Sequence, residues 1–206
     1  MEDTRVGLFV SASEAARQLA QGRMLILIDN EERENEGDFV IAGEHVTAEA
    51  VNLMITRGRG LVCAPLTPER AEKLTLGLQA EENTALHGTN FTVSVDAVEG
   101  TTSGISTADR AQTIRVLADD DARPEDLGRP GHIFPIVSAP SGVRERAGHT
   151  EAIVDLLRMG GATPVGVLCE ILNDDGSMAR LPELTELAEE LGMSIARVDD
   201  LVQYRM

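Results

Sequence analysis

Apolar residues follow two kinds of pattern along this chain, one typical of strands and one typical of helices. The two kinds of pattern alternate. Continuous apolar runs are typical of strands that are buried on both faces, and a strict apolar–polar alternation is typical of a half-buried strand. A proline within such a run favours the edge of a sheet because proline cannot donate to the ladder, as at Pro135. These patterns predict strands over residues 24–28, 39–42, 60–64, 91–95, 133–137, 165–171 and 193–198.

Apolar residues at helical spacing predict helices between most of these strands. Ser11 and Glu14 have the spacing of a capping box, and Gly22 is placed to end that helix. Residues 77–90 are rich in Gly, Asn and Thr and predict a loop. The alternation of the two kinds of element favours one α/β domain. Further helices are predicted to begin near Thr47, Thr67, Ser106, Thr150 and Pro182.

The charge of the chain narrows the classes of partner. The 206 residues carry a formal net charge of −17, which argues against binding to nucleic acid or to an anionic membrane surface. The first five residues lack the basic start and apolar stretch of a signal peptide. Two isolated cysteines, Cys63 and Cys169, lie in apolar runs and favour a reducing compartment. We therefore expect a cytoplasmic protein with no nucleic-acid or membrane partner.

The first candidate for chemistry is the acidic segment at residues 29–38, Asp-Asn-Glu-Glu-Arg-Glu-Asn-Glu-Gly-Asp, between two predicted strands. Such charge runs are usually solvated loops, whereas loops at strand ends often carry sites. An EF-hand is excluded, because Glu34 and Val40 stand where that motif requires Gly and Glu. Hard oxygen ligands suit Mg²⁺ or Mn²⁺, so a metal loop and a solvated loop both stay open.

The second candidate is the segment at residues 144–151, Arg-Glu-Arg-Ala-Gly-His-Thr-Glu, which leads into a predicted helix. Helix N-termini bind phosphate through free backbone N–H groups, and Arg146 and Thr150 would complete such a cradle. His149 could bind a metal or carry a proton. The alternative is that Thr150 caps the helix while the arginines are solvated.

Four weaker candidates have ordinary structural alternatives. His132 lies in a rigid Arg-Pro-Gly-His turn, and residues 100–110 form a hydroxyl-rich loop that enters a helix. Glu170 and Cys63 lie at strand ends, where burial would raise the pKa of a carboxyl group toward the range useful for proton transfer. The alternatives are a turn histidine, a plain helix start, and a small core thiol.

Together and in this order, the motifs at residues 33–38, 129–132 and 148–152 resemble the 3,4-dihydroxy-2-butanone 4-phosphate synthase family of riboflavin biosynthesis. The resemblance covers essentially the whole chain and implies one α/β (α+β) domain over residues 1–206, with a mixed sheet flanked by helices. It implies conversion of D-ribulose 5-phosphate to L-3,4-dihydroxy-2-butanone 4-phosphate and formate, with Mg²⁺ or Mn²⁺. It also implies a homodimer with its sites at the subunit interface.

The resemblance assigns roles to particular residues. The metal ligands are Glu34 and His149. The reaction depends on His132 and Glu170, and Cys63 is a thiol that lines the site. The expected substrate contacts are Arg33, Glu34, Asp38, Arg146, Ala147, Gly148, His149, Thr150 and Glu170.

Two departures and three alternatives accompany the resemblance. Ser103 stands where the family often has Thr, and Ala147 stands where Gly is common. The chain could be another metal-dependent sugar-phosphate isomerase or aldolase. It could be the N-terminal half of a bifunctional protein whose second part is a cyclohydrolase. A non-catalytic acidic binding module is the third alternative, and it predicts no dependence of divalent-ion binding on Glu34 or His149.

Overall fold

The computed structural model describes residues 7–204. In this part of the chain the strands are β1 (Leu25–Ile28), β2 (Gly37–Ala42), β3 (Cys63–Leu66), β4 (Asn90–Phe91), β5 (Val95–Ala97), β6 (Leu127–Val137), β7 (Gly166–Glu170) and β8 (Ile195–Arg197). The α-helices are α1 (Ala12–Ala20), α2 (Ala48–Leu53), α3 (Pro68–Lys73), α4 (Thr107–Ala118), α5 (His149–Gly160), α6 (Leu181–Leu191) and α7 (Val198–Gln203).

All the strands belong to one mixed sheet. Its order is β4-β6-β3-β7-β2-β1-β8, and β5 pairs with β6 beside β4. The pairs β3/β6 and β1/β8 are parallel, and the other pairs are antiparallel. The predicted fold class, a mixed sheet flanked by helices, is therefore confirmed.

Helices cover both faces of this sheet, which explains the continuous apolar runs. Successive side chains of a strand point to opposite faces, so Leu25 and Leu27 pack with α1, α5 and α7 on one face. Ile26 and Ile28 pack on the other face with α2, α3, α4 and α6. A strand placed in this way must be apolar at every position.

Hydroxyl side chains begin several helices where the sequence predicted it. The hydroxyl oxygens of Ser11, Thr47 and Ser106 each accept a hydrogen bond from a backbone N–H three residues later. The start of α5 differs from the prediction, since its N-cap is Gly148, which offers no side-chain cap. Thr150 lies inside the helix, so the first backbone N–H groups of α5 are not capped by a side chain.

The prediction of an edge strand at residues 133–137 is wrong. β6 lies inside the sheet, between β3 on one side and both β4 and β5 on the other. On this second side, β4 pairs with residues 136 and 137, and β5 pairs with residues 127–133. Pro135 lies opposite the gap between β4 and β5, so its missing N–H breaks no hydrogen bond of the sheet. For the same reason the strand predicted over residues 91–95 is split, with Thr92 donating its N–H to the Pro135 carbonyl.

Within residues 7–204, no helix has the length and apolar character needed to cross a bilayer. The first five residues, on which the prediction of no signal peptide depends, lie outside the described part of the chain.

Candidate active site

A cavity of about 290 Å³ opens where the acidic segment, the loop before β4 and the N-terminus of α5 meet. It contains most of the residues that the sequence singled out, although they come from distant parts of the chain. Its lining residues are Arg33, Glu34, Glu36, Asp38, His87, Thr89, Phe91, Ile136, Arg146, His149, Thr150, Leu168 and Glu170.

The pairing of β2 with β7 places two carboxylates side by side. Asp38 stands directly opposite Glu170 in this antiparallel pair, so both side chains lie on the same face of the sheet. The Glu170 carboxylate also accepts a hydrogen bond from the Leu61 N–H at 2.8 Å. A Cβ at Gly60 would lie 2.6 Å from the Glu170 carbonyl oxygen, so this close approach requires glycine. The strand end therefore holds Glu170 in a fixed place.

The acidic segment is held in place by hydrogen bonds. The buried Asp29 carboxylate accepts the backbone N–H groups of Glu34 and Glu36 at 3.2 and 2.8 Å, and an N–H of Arg33 at 2.8 Å. The Arg180 guanidinium, which precedes α6, donates to the carbonyls of Glu34 and Asn35. These bonds fix the direction in which Glu34 points.

Glu34 and His149 form the part of this cavity best suited to a divalent cation. The Glu34 Oε2 atom lies 3.7 Å from His149 Nδ1, and the His149 Nε2 atom is buried without a hydrogen-bond partner among the described residues. Ligand atoms of Asp29, Glu34 and His149 all lie within 4.8 Å of one another. Both Asp29 oxygens accept N–H groups of the acidic segment, so Asp29 supports that segment.

Burial and neighbouring charges shift the titration of these groups. The His149 imidazole lowers the pKa of Glu34 to about 2, Arg33 acts in the same direction, and burial opposes both. Burial alone would lower the pKa of His149, but the carboxylates of Asp38 and Glu34 outweigh it and raise that pKa to about 9. Burial raises the pKa of Asp38 to about 7, so this carboxyl group can gain and lose a proton near neutral pH.

The start of α5 has the features of an anion site. A Cβ at Gly148 would lie 2.5 Å from an Arg146 guanidinium nitrogen and 2.9 Å from one of Arg33, so both arginines reach the helix N-terminus. Thr150 lies in the first turn and lines the cavity. Ala147 is exposed and outside the cavity lining, and its φ is not positive, so the backbone accepts a Cβ at this position.

Cys63 lies close to the cavity without reaching its surface. It pairs with Leu168 across β3 and β7 and packs in the same apolar cluster as Leu168 and Ile136, yet it is fully buried. Burial, with the nearby Glu170 and Asp38 charges, raises the pKa of the Cys63 thiol well above its ordinary value. Its predicted role in the site stays a prediction.

His132 lies away from this cavity. Along β6 it precedes the cavity residue Ile136 by four positions, which is about 13 Å in a strand. Its Nδ1 atom lies 2.7 Å from the Asp96 carboxylate, which also accepts the His132 backbone N–H at 2.8 Å. Gly104 abuts both side chains, so two of the weaker sequence candidates form one separate cluster. The catalytic role of His132 stays a prediction.

Sequence reasoning missed four polar residues that the structure places at the cavity or beside His132. His87 and Thr89 lie in the predicted loop at residues 77–90 and reach the cavity, while Glu36 lines it from the acidic segment. Asp96 orients His132. A histidine in a polar loop that leads into a strand was the available signal for His87. Nothing in the local pattern connects Asp96 with His132, since 36 residues separate them.

Comparisons with known proteins identify the family of the chain. Residues 13–204 match the sequence profile of the 3,4-dihydroxy-2-butanone 4-phosphate synthase family. The riboflavin biosynthesis protein RibBA of Cytophaga hutchinsonii is 51% identical over 207 residues, which cover 100% of this chain and 50% of that protein. The 3,4-dihydroxy-2-butanone 4-phosphate synthase of Pseudomonas aeruginosa is 51% identical over 94% of this chain and 53% of its own length.

This chain is also similar to a solved structure of a 3,4-dihydroxy-2-butanone 4-phosphate synthase in complex with two magnesium ions. It superposes with a TM-score of 0.91 at 40% identity, over 95% of this chain and 96% of that one. The chain spans about half the length of the curated relatives it matches. The sequence profile and these identities show that the chain belongs to the 3,4-dihydroxy-2-butanone 4-phosphate synthase family.

Proposed function

We propose that this chain converts D-ribulose 5-phosphate to L-3,4-dihydroxy-2-butanone 4-phosphate and formate. The observation that carries the proposal is one cavity in which an anion cradle adjoins a carboxylate–imidazole pair. Arg33, Arg146 and the start of α5 supply the cradle, and Glu34 and His149 form the pair. The names of the relatives support the same reaction.

The arrangement suggests a task for each group. The cradle would bind the phosphate end of the substrate, since free helix N–H groups and arginines favour that charge. Asp38 and Glu170 lie on the cavity face and would move protons at the carbon skeleton. The buried walls at Ile136 and Leu168 would limit the access of water to reactive intermediates.

We also propose that Glu34 and His149 hold Mg²⁺ or Mn²⁺. A carboxylate oxygen and an imidazole nitrogen at this separation fit a hard divalent ion, and the relative solved with two magnesium ions supports the choice. Such an ion, when bound, stabilises negative charge that develops on a substrate oxygen. The observation of this structure that favours the assignment is the position of His149 Nδ1, 3.7 Å from the Glu34 carboxylate in a cluster of possible ligand atoms.

We further propose a cytoplasmic homodimer whose sites lie at the subunit interface, each chain contributing one domain. The separation of His132 from the cavity supports this arrangement, because a second copy could bring its own His132 to the cavity of the first. The two buried free thiols, Cys63 and Cys169, are consistent with a reducing compartment.

A formate assay tests the reaction. The purified chain is incubated with D-ribulose 5-phosphate and Mg²⁺, and formate is measured with and without EDTA. We expect formate to appear and EDTA to abolish its release, with recovery when Mg²⁺ is restored. An isomerised pentose 5-phosphate without formate would instead support a sugar-phosphate isomerase and contradict the proposal.

A further inference from the structure

We infer that Glu151 is a positioning residue that holds Arg146 at the anion cradle, an inference that rests on the proposed function. Glu151 lies in the first turn of α5, and its side chain is only 2% exposed. It does not line the cavity, whereas Arg146 does. Glu151 therefore makes no direct contact with a substrate bound in this cavity.

Each oxygen of the Glu151 carboxylate has one partner. Oε2 accepts an N–H of the Arg146 guanidinium at 2.7 Å, and Oε1 accepts the backbone N–H of Ala139 at 3.0 Å. Ala139 and Arg146 stand at the two ends of the loop that leads into α5. One buried carboxylate thus joins the helix to both ends of this loop.

The other donors of Arg146 point to the loop before β4. Its Nε–H donates to the His87 carbonyl at 3.2 Å, and an Nη2–H donates to the Thr89 hydroxyl at 3.1 Å. The guanidinium is planar, so contacts on three sides fix its orientation. Arg146 thereby connects α5 to two cavity residues, and Glu151 is its only carboxylate partner among the described residues.

Two possible roles of the Glu151 carboxylate predict opposite effects of its neutralisation on phosphate binding. A Cβ at Gly148 would lie 2.9 Å from Glu151 Oε2 and 2.5 Å from an Arg146 nitrogen, so the carboxylate stands beside the anion cradle. If only its charge mattered, neutralising Glu151 would strengthen phosphate binding because it removes a repulsion. If Glu151 positions Arg146, the same change weakens phosphate binding, because a long flexible side chain is released from a charge-assisted hydrogen bond.

Asp155 provides a matched control. It lies one helical turn after Glu151 and is also buried, and its carboxylate accepts the backbone N–H of Val143 from the same loop at 2.9 Å. Within residues 7–204, its only nearby cation is Arg158 of its own helix, 3.5 Å away. Asp155→Asn therefore neutralises a similarly buried carboxylate beside the same loop without touching Arg146.

The experiment compares Glu151→Gln, Asp155→Asn and the unchanged protein. Binding of inorganic phosphate is measured by calorimetry in EDTA, and kcat and KM are measured with D-ribulose 5-phosphate. We expect Glu151→Gln to weaken phosphate binding about tenfold, the loss of one hydrogen bond to a charged group, and to raise KM more than it lowers kcat. Asp155→Asn should leave the affinity for phosphate and the KM within about twofold of those of the unchanged protein.

The inference is overturned if Glu151→Gln binds phosphate as well as or better than the unchanged protein, or if Asp155→Asn weakens binding equally. Adding Glu151→Gln to Arg146→Ala must cause no further loss, since an extra loss would mean that Glu151 acts independently of Arg146. If Glu151→Gln does not fold, Glu151→Asp is used, which keeps the charge but shortens the reach, and it must also weaken phosphate binding. Phosphate binding needs no turnover, so a failed formate assay leaves this comparison interpretable.

Discussion

At the scale of single residues, the Asp29 carboxylate supports the cavity through hydrogen bonds to the acidic segment. It is fully buried and lies close to the Glu34 carboxylate, so its charge needs strong partners. Three N–H donors, from Arg33, Glu34 and Glu36, supply them. Groups that orient a metal ligand in this way commonly matter almost as much as the ligand itself.

We predict that Asp29→Asn weakens Mg²⁺ binding about tenfold, because an amide cannot accept N–H groups on both of its ends and the segment that carries Glu34 loosens. Calorimetric titration with Mg²⁺ measures the effect. Glu31→Gln is the control, since Glu31 is exposed in the same segment. Unchanged affinity in Asp29→Asn would show that Asp29 does not position Glu34.

The residues that could be singled out from sequence stand in contiguous motifs, and their roles were predicted from the resemblance of those motifs to a known family. Glu34 and His149 stand in contiguous motifs beside predicted strands and helix starts, and the fold brings them within 3.7 Å. His87 and Asp96 were missed because their contacts depend on the sheet. His87 reaches the cavity from a loop, and Asp96 meets His132 only after β5 pairs with β6. Contacts that depend on strand pairing cannot be predicted from the pattern of residues that are neighbours in sequence.

At the scale of elements, the start of α4 shows how a buried carboxylate shapes a loop. Asp109, in the first turn, accepts the backbone N–H groups of Thr102 and Gly104 at 3.1 and 3.0 Å and the Thr102 hydroxyl at 2.8 Å. These hydrogen bonds, the Thr102 hydroxyl first, lower the pKa of Asp109 below its ordinary value of 3.8. Through Gly104, the same turn adjoins the Asp96–His132 pair.

We predict that Asp109 stabilises the fold in a pH-dependent way. Because its pKa is lower in the folded state, its contribution is complete above about pH 4 and is lost as the pH falls through the lowered pKa. The stability difference between the unchanged protein and Asp109→Asn should therefore stay constant from neutral pH down to about pH 5 and shrink below about pH 4. Chemical denaturation at each pH measures this difference.

The control for this prediction is Glu125→Gln, which removes one negative charge from an exposed position. It separates the loss of general charge from the loss of the acceptor inside the turn. A difference for Asp109→Asn that remained unchanged down to pH 3 would contradict the assigned role, because the hydrogen bonds to a protonated carboxyl group would then be worth as much as those to the carboxylate.

The elements predicted from sequence were those whose pattern lasts for several residues. The apolar runs of β1, β2 and β7 and the capped helices were found because burial on both faces and N-caps leave local signals. The place of β6 was not found, because Pro135 is tolerated only through the gap between β4 and β5. That gap is a property of the neighbouring chain segments.

At the scale of the whole molecule, two clusters of polar residues stand apart on one chain. The cavity holds Glu34 and Arg146, whereas His132 and Asp96 lie at the surface, with the His132 side chain 43% exposed. Exposed Val98 and Ile105 flank the second cluster in sequence, at 58% and 54%. An exposed imidazole that is oriented by a carboxylate and bordered by apolar residues is suited to contact with a partner subunit.

We predict that inactive variants of the two clusters complement each other. In the proposed homodimer, Glu34→Ala or His132→Ala in both chains inactivates both sites. A dimer with one chain of each kind has one site with both changes and one site with neither. Equal amounts, refolded together, should therefore recover about a quarter of the unchanged activity, since about half of the dimers are mixed and each has one intact site. Formate release measures the recovery.

A matched pair separates shared sites from other causes of recovery. Glu34→Ala and Arg146→Ala change two residues of the same cavity, so a mixed dimer has one change in each site and should regain no activity. Recovery in both mixtures would point to stabilisation of one chain by the other. No recovery in the first mixture, with mixed dimers shown by mass spectrometry, would mean that His132 serves its own chain or no site at all, and the shared-site dimer would be abandoned.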